Sequence, residues 1–358
     1  MPVYKNKDNG TWYVMTQYTD WKGERKPKCK RGFATKREAQ DWEQKFQQQS
    51  SGDLDMPFSA FVEIYCREQK PRLKESTWQT KENIIQQKIL PYFENRKINE
   101  ITTKDVRAWQ NEMLAYRNEE NKPYSSSYLK TLHNQLSAIF NYAVRFYDLR
   151  SNPASKAGNM GSEERKEMLF WTKEEYQKFS EVMMDKPLSY YAFQMLYWTG
   201  IREGELLALT PADFDFEKGT VKISKTYQRL KGQDVITSPK TKKSNRIVQM
   251  PDFLCTEMQE FFGMQYGLKK KDRVFTVTKS YLHHEMDRGA KEAGVKRIRI
   301  HDLRHSHISL LIDMGFSAVA IADRVGHESI EITYRYAHLF PSKQKEMAVK
   351  LDFMNKGV

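Results

Sequence analysis

The chain has 358 residues and a formal net charge of +13 at pH 7. This length favours two or three domains, each large enough to bury its own core. The three cysteines are scattered and none forms a C-x-x-C pair, which argues against a disulfide scaffold and against a cysteine-rich zinc site. No apolar stretch is long enough to span a membrane and the N-terminus lacks a secretory signal, so we expect a reduced, cytoplasmic protein.

The first predicted domain, residues 1–51, is a small sheet covered by one helix. Thr11–Thr19 alternates as a strand does, and Lys26–Phe33 reads as a second extended piece. Thr35 and Glu38 then form a capping box that begins a helix. Basic residues strongly outnumber acidic ones up to Arg37, and basic groups beside aromatics suit the DNA backbone. The predicted DNA contacts are Lys22, Arg25, Lys26, Lys28, Lys30 and Arg31.

The second predicted domain, residues 54–155, is entirely helical. Thr102 caps one helix and the serines at 125–127 begin another, whereas Pro91 is expected to end the helix that contains it. Two polar stretches without periodicity, Gln47–Asp53 and Asn152–Ser162, are predicted to be the linkers on either side.

The third predicted domain, residues 163–358, mixes helices with a few short strands. Helices are expected after the capping box of Thr172 and across Leu188–Trp198, and extended pieces follow at 220–225, 235–237 and 246–250. The stretch from Lys218 to Arg246 carries nine basic residues and one acid, Asp234. We therefore expect it to follow the DNA backbone, with contacts from Tyr227 and from its lysines, Lys242 and Lys243 among them.

Three stretches of this domain carry the residues suited to chemistry. In Thr199–Leu209 an arginine, Arg202, stands at a helix start, where the helix dipole disfavours it unless an anion or Glu205 offsets its charge. In Arg299–Leu311 a histidine and an arginine three residues apart share a helix face. With Arg324–Pro341, these stretches hold five of the eight histidines, which indicates proton transfer or metal binding.

These stretches resemble the motif boxes of the tyrosine recombinase family, in the branch of phage and integrative-element integrases. TGIREGEL is similar to the box of the first catalytic arginine, HDLRHSH to the H-x-x-R box, and GHESIEITYRYAHL to the Gly-His box with its downstream nucleophile. The resemblance implies a multidomain α+β fold. Its parts are a sheet-plus-helix arm-binding domain, an all-α, SAM-like core-binding domain, and a mainly α catalytic domain with a small β-sheet or hairpin.

The same resemblance implies a role for individual residues. The catalytic set is Arg202, Lys240, His301, Arg304, His327 and Tyr336, with Glu205 in support. Two alternatives stay open. Tyr334 lies two residues before Tyr336 and would point about 200° away on a helix, so only one of the two can be the nucleophile. Lys242 and Lys243 are neighbours of the hairpin lysine, Lys240.

The chemistry explains why these residue types are needed. Two guanidinium forks can bind the oxygens of one phosphodiester and stabilise its transition state without a metal or another cofactor. His301 is expected to act as base for the tyrosine, and Lys240 to protonate the leaving 5′ oxygen. The product is a 3′-phosphotyrosine, which conserves the bond energy for religation without ATP.

The expected partner is double-stranded DNA, at core and arm att sites, bound by a homotetramer in the cytoplasm of a bacterial host. An excisionase and a host DNA-bending protein are further expected partners. The competing hypotheses are a zinc-dependent hydrolase, since His301 and His305 are four residues apart, and a non-catalytic DNA-binding regulator. A type IB topoisomerase uses similar chemistry, but the separate N-terminal domains favour site-specific recombination.

Overall fold

The chain forms two compact units, Met1–Arg165 and Lys166–Val358. The computed structural model describes residues 3–6, 10–19, 25–50, 54–162, 168–239, 242–334 and 336. Within these residues, no helix combines the length and the apolar character that crossing a membrane requires.

The first unit begins with an antiparallel sheet of β1 (Val3–Lys5), β2 (Trp12–Thr19) and β3 (Arg25–Phe33), in that order. Helix α1 (Lys36–Ser50) packs on β2, and Val14 and Ala39 are fully buried between them. The predicted capping box is confirmed, because the Glu38 amide donates to Thr35 Oγ1 at 3.1 Å and the Thr35 amide donates back to Glu38 Oε2 at 3.3 Å. The helix extends to Ser50, so the predicted linker from Gln47 is helical in its first half.

The rest of the first unit is helical, as predicted. Apolar side chains of α2, α5 and α6 meet in one core with Phe58, Trp109 and Phe140 at its centre. The predicted caps are confirmed: the Thr102 and Ser125 hydroxyls accept from the amides of Asp105 and Tyr128. The helices are α2 (Phe58–Gln69), α3 (Glu75–Ile84), α4 (Leu90–Phe93), α5 (Thr103–Ala115), α6 (Ser126–Phe146) and α7 (Pro153–Ala157).

Two predictions for this region were wrong. Pro91 does not end its helix, because the chain passes through a π-helical turn, Ile85–Ile89, directly before α4. The wider turn accommodates a residue that lacks an amide donor. The second predicted linker begins with a helix instead. Asn152 caps α7 through the Ser155 amide, and Ala154 is buried in the core.

The second unit is built around α9 (Pro187–Thr199), which is buried on nearly every side and packs against α8, α11 and α13. A helix that is apolar all round belongs at the centre of a domain. Its surrounding helices are α8 (Lys173–Met183), α10 (Glu203–Leu206), α11 (Asp252–Met264), α12 (Lys279–Glu292), α13 (Asp302–Asp313), α14 (Ala318–Val325) and α15 (Ile330–Tyr334).

Two small antiparallel sheets lie beside these helices. β4 (Phe214–Asp215), β5 (Thr220–Ile223) and β8 (Arg246–Gln249) form one sheet in the order β4-β5-β8. β6 (Thr226–Leu230) and β7 (Gln233–Thr237) form a hairpin that contacts α10. The sequence missed β6 as a separate strand, but the predicted mainly helical domain with a small sheet and hairpin is confirmed.

Candidate active site

Arg202 stands where α9 gives way to α10. α9 ends at Gly200, whose φ of +65° is left-handed, and an added Cβ there would lie 2.6 Å from His307 Cδ2. Only glycine fits this turn, which turns the chain back toward α13. The Arg202 guanidinium then donates from Nη1 to Glu205 Oε1 at 2.8 Å and from Nη2 to the Gly326 carbonyl at 3.3 Å. The ion pair expected between Arg202 and Glu205 is therefore present.

Glu205 is the anionic centre of this cluster. Its buried carboxylate accepts from both Arg202 and Arg246. Burial alone would raise the pKa of Glu205, but hydrogen bonds and charge from the two arginines hold it below its ordinary value. The group is therefore ionised at neutral pH and orients Arg202.

Arg304 is the buried cation of the site. It lies in the first turn of α13 with 3% of its surface exposed, and its Nη1 donates to the Gly200 carbonyl at 2.8 Å. Its Nη2 is buried and has no hydrogen-bond partner among the described residues. Burial and the charges of Arg202 and Arg246 lower the pKa of Arg304 to about 9. A guanidinium that is left unsatisfied in this way is costly unless an anion binds it.

Two predicted histidines share this electrostatic environment. Burial and the charges of Arg304 and Arg202 lower the pKa of His327 to about 3, and its Nδ1 bonds Thr333 Oγ1 at 2.8 Å. Burial of the His301 ring, together with the charges of His305, Arg304 and Arg202, lowers the pKa of His301 to about 4. Part of this residue is nevertheless exposed. Both are neutral at pH 7, chiefly because burial disfavours the charged ring and also because the nearby arginines are cationic.

The two candidate tyrosines differ in placement. Tyr336 is 3% exposed, and its hydroxyl is hydrogen-bonded to His305 Nδ1. Its ring lies beside that of His305, the residue that follows Arg304 on α13, with the ring centroids 5.5 Å apart. Tyr334 is 54% exposed. The structure thus brings one of the two tyrosines to the arginines and histidines, and it is Tyr336.

Comparison with known proteins identifies the family. The model of the phage integrase family matches residues 170–343, that of a SAM-like N-terminal domain of phage integrases matches 57–114, and that of an arm DNA-binding domain matches 2–50. The ICEBs1 integrase of Bacillus subtilis (strain 168) is 30% identical over 339 residues, which cover 89% of this chain and 90% of the relative. The chain belongs to the phage integrase family.

Other relatives and solved structures support the assignment. A XerC-like tyrosine recombinase from Caldanaerobacter subterraneus is 30% identical over 258 residues, covering 63% of this chain and 66% of its own. The Tn1549 transposon integrase, solved with transposon right end DNA, matches in fold with a TM-score of 0.67 at 18% identity, covering 84% of this chain and all of that one. The predicted family, fold class and enzyme class are confirmed: this integrase is a tyrosine recombinase that cleaves and rejoins DNA in site-specific recombination.

The predicted DNA-contact residues are only partly described. Lys240 and Lys22 lie outside the described residues, as does the side chain of Lys242, whereas Lys243 is exposed. On β3 the predicted basic residues are all exposed, namely Arg25, Lys26, Lys28, Lys30 and Arg31. Their contacts with DNA remain a prediction.

Two residues of the stretch expected to follow the DNA backbone are instead internal, and one of them, Tyr227, was a predicted contact. Tyr227 is fully buried, donates to Asp234 and lies under the Arg273 guanidinium, 4.3 Å from the ring centroid. Arg246 has 7% of its side chain exposed. The alternation of β8 could have shown this, because Arg246 faces the same side as the buried Val248. Charge composition alone does not distinguish a DNA contact from an internal ion pair.

From the sequence alone, His305 and His307 are expected in supporting roles, in the core or on the surface. His307 is buried against Gly200, and its Nε2 accepts a hydrogen bond from Arg324 Nε at 3.0 Å, so it supports the turn before Arg202. His305 contacts the phenol of Tyr336 itself, which no sequence signal indicated. The described residues contain no group of three or more His, Cys, Asp or Glu side chains arranged to hold a metal ion.

Proposed function

We propose that this chain is the integrase of a mobile element, and that Tyr336 attacks a DNA phosphate held between Arg202 and Arg304. The observation that carries the proposal is the buried Nη2 of Arg304, which has no partner among the described residues. A nonbridging phosphate oxygen satisfies this donor, and Arg202, oriented by Glu205, binds the same phosphate. Preorganised donors of this kind typically contribute about 10²–10³ in rate each.

The other predicted residues complete the reaction in this proposal. The Thr333 contact occupies His327 Nδ1 and leaves Nε2 for a phosphate oxygen. Attack of the phenol forms a 3′-phosphotyrosine and releases a 5′ hydroxyl, which takes its proton from Lys240. The ester conserves the energy of the broken bond, so religation to another strand requires no ATP.

The proposed substrate is double-stranded DNA with core and arm att sites. We assign the arm sites to residues 1–51, the core sites to the helical domain 54–155 and catalysis to 163–358. The exposed basic residues of β3 support the first assignment, since a row of cations suits phosphates. An enzyme acting on the chromosome of a bacterial host works in the cytoplasm, and we place this integrase there.

We further propose that four chains assemble on DNA. Lambda integrase was solved as a tetramer bound to a Holliday junction, and it shares the fold with a TM-score of 0.59 at 16% identity, covering 94% of each chain. The residues after Pro341 carry spaced apolar side chains and lie outside the described residues. If this tail couples protomers, truncation after Pro341 impairs recombination far more than binding to a single site. An excisionase and a host DNA-bending protein are the accessory partners of this proposal.

The direct test is covalent trapping on a nicked duplex that contains the core site of the element. The DNA is labelled on one side or the other of the cleavage site, which lies near the nick. It is incubated with wild type, Tyr336→Phe or Tyr334→Phe, and the products are separated by denaturing electrophoresis. The expected adduct retains the label on the upstream strand, whose 3′ end bears the phosphate. It is lost in Tyr336→Phe and kept in Tyr334→Phe.

Two outcomes would contradict the proposal. An adduct lost only in Tyr334→Phe would make the exposed tyrosine the nucleophile. An adduct on the downstream strand would reverse the polarity of the link. Filter binding of each variant to the same duplex is the control, because a variant that no longer binds DNA says nothing about its nucleophile.

A further inference from the structure

His305 lies directly after Arg304 on α13, and its ring approaches the proposed nucleophile. Its Nδ1 is hydrogen-bonded to the Tyr336 hydroxyl, with ring centroids 5.5 Å apart and ring planes inclined by 52°. The side chain is 14% exposed, so the contact is largely shielded from water.

The other nitrogen of the same ring faces a carboxylate. His305 Nε2 lies 3.7 Å from Asp302 Oδ1, one helical turn earlier. Asp302 is fully buried and is fixed by Arg299, whose Nη2 donates to Oδ1 at 2.8 Å and whose amide donates to Oδ2 at 2.8 Å. A proton on Nε2, directed toward Asp302, is therefore the favoured tautomer, and it leaves Nδ1 as an acceptor for the phenol.

We propose that His305 is the general base of the cleavage step, with Asp302 as the residue that orients it. The arrangement follows the logic of a nucleophile, a histidine and a buried carboxylate in a row, here with a phenol as the nucleophile. The inference rests on the proposed role of Tyr336, and it gives His305 the task that the sequence assigned to His301.

The step balances in protons and bonds. The Oη–H bond of Tyr336 breaks as an Nδ1–H bond forms on His305, and Oη bonds to phosphorus while the bond from phosphorus to the 5′ oxygen breaks. The leaving oxygen takes a proton from the general acid. On religation the imidazolium returns its proton to Oη, so the enzyme is unchanged after a full cycle.

The charges around His305 suit a base. Burial lowers its pKa, the Asp302 carboxylate opposes that effect, and the cations of Arg299 and Arg304 reinforce it. The ring is thus neutral at pH 7 and able to accept a proton. Titratable and charged groups act on this ring from the residues just before α13, from α13 itself and from the residues after α14. They are Arg299, His301, Asp302, Arg304, His327 and Tyr336.

The test combines two substitutions at His305 with a more acidic nucleophile at position 336. His305→Asn keeps an acceptor near the position of Nδ1 but cannot take a proton, and His305→Gln removes that acceptor. Each full-length variant is made with tyrosine or with a fluorinated tyrosine of lower pKa at position 336. Single-turnover cleavage of nicked core DNA is then followed as a function of pH.

If His305 is the base, both variants lose about 10²–10⁴ in cleavage rate at pH 7, and the fluorinated tyrosine restores at least about tenfold because a more acidic phenol needs less help. A 5′-bridging phosphorothiolate, whose sulfur leaves without a proton, does not restore them. His284→Gln, an exposed histidine on α12, is the matched control and cleaves as wild type does.

Three results would overturn the inference. Wild-type cleavage by His305→Asn would reduce the contact to positioning. Equal losses with ordinary and fluorinated tyrosine in folded variants would exclude proton transfer at this step. If the fluorinated tyrosine restores cleavage by a His301→Gln variant but not by the His305 variants, the role of general base returns to His301. Failure of the proposed function is detected separately with Tyr336→Phe. If this variant still forms the covalent adduct, Tyr336 is not the nucleophile.

Discussion

Arg246 binds Glu205 with a two-pronged fork, Nη1 to Oε1 at 3.2 Å and Nη2 to Oε2 at 3.0 Å. The same guanidinium donates from Nε to the Arg324 carbonyl at 3.0 Å, and its Cδ leaves room only for glycine at position 326. Glu205 in turn binds Arg202. Arg246, the first residue of β8, therefore positions Arg202 without itself facing the substrate. Arg246 therefore belongs to the interior of the site, although it is one of the nine basic residues of the stretch expected to follow DNA.

We expect Arg246→Lys to slow cleavage by about tenfold to a hundredfold while DNA binding changes little. Lysine keeps the charge but cannot reproduce the fork, and small misplacements of catalytic groups carry penalties of about this size. Single-turnover cleavage and filter binding measure the two effects. When Arg246→Lys is combined with Arg202→Lys, the loss in cleavage rate is expected to be smaller than the product of the two single losses. Both changes disturb the same cationic group of the site, the one at position 202. Independent, multiplicative losses would contradict the connection.

The matched control for this change is Arg288→Lys. Arg288 likewise binds a buried carboxylate, because its Nη2 donates to Glu285 Oε2 at 2.8 Å. It also forms an ion pair with Asp185. The substitution disturbs an ion-pair network of similar kind on α12, so it lowers thermal stability in a comparable way. Cleavage per folded molecule is expected to stay at the wild-type rate.

Arg304→Ala should lose about 10²–10³ in cleavage rate on ordinary DNA. On DNA with a neutral methylphosphonate at the cleaved position, the deficit relative to wild type shrinks by about tenfold or more, because less negative charge needs stabilising. Arg297→Ala, which removes a half-exposed arginine paired with Asp287, serves as the control and affects neither substrate. An equal deficit on both substrates would mean that Arg304 supports the fold rather than the phosphate.

Replacing Lys26, Lys28 and Lys30 by glutamine should weaken binding to arm DNA and flatten its salt dependence. Each lost phosphate contact lowers the slope of log K against log salt by about 0.9. Fluorescence anisotropy at several salt concentrations measures this slope. The same triple change at the exposed lysines 269–271 removes equal charge from the second unit and leaves the slope unchanged. If both triple variants flatten it equally, β3 has no special part in binding.

Acid should destabilise the second unit through its buried histidines. Burial and the charges of Arg324 and Arg304 lower the pKa of His307 to about 3 from 6.5. Between these values the unfolded chain binds a proton that the folded chain does not, so the free energy of unfolding falls as pH is lowered from about 6.5 toward 3, by at most about 1.4 kcal/mol per pH unit for one histidine. His327, the other buried histidine with a pKa lowered to about 3, acts in the same direction.

Urea unfolding at several pH values between 7 and 5 checks this expectation. His307→Gln retains an acceptor for Arg324 and removes one titrating group, so it should reduce the pH dependence. His284→Gln, an exposed residue, should leave it as in wild type. An unchanged pH dependence in His307→Gln would show that this histidine binds protons equally in the folded and unfolded chains, which contradicts a lowered pKa.

The sequence by itself determined the family, the order of the three segments and most helix starts. Caps such as Thr35, Thr102 and Thr172 are local, because the hydroxyl, the amide it accepts from and the returning carboxylate lie within one turn of chain. The motif boxes are likewise contiguous, so the resemblance to the family could assign Arg202, Arg304, His327 and Tyr336 to the predicted site. Even the Arg202–Glu205 pair is a local contact, three residues apart.

Only the tertiary structure decided which charges are internal and what touches the nucleophile. Arg246 lies 41 residues from Glu205, and His305 lies 31 residues from Tyr336. Contacts over such separations depend on how α9, α13 and β8 pack around one core. The alternation of β8 indicates which side of the strand Arg246 faces, but no sequence pattern identifies its partner or brings His305 to Tyr336. The same residue type has a different role according to its burial. An exposed lysine or arginine is free to contact DNA, whereas a buried one orients the groups that make the contact.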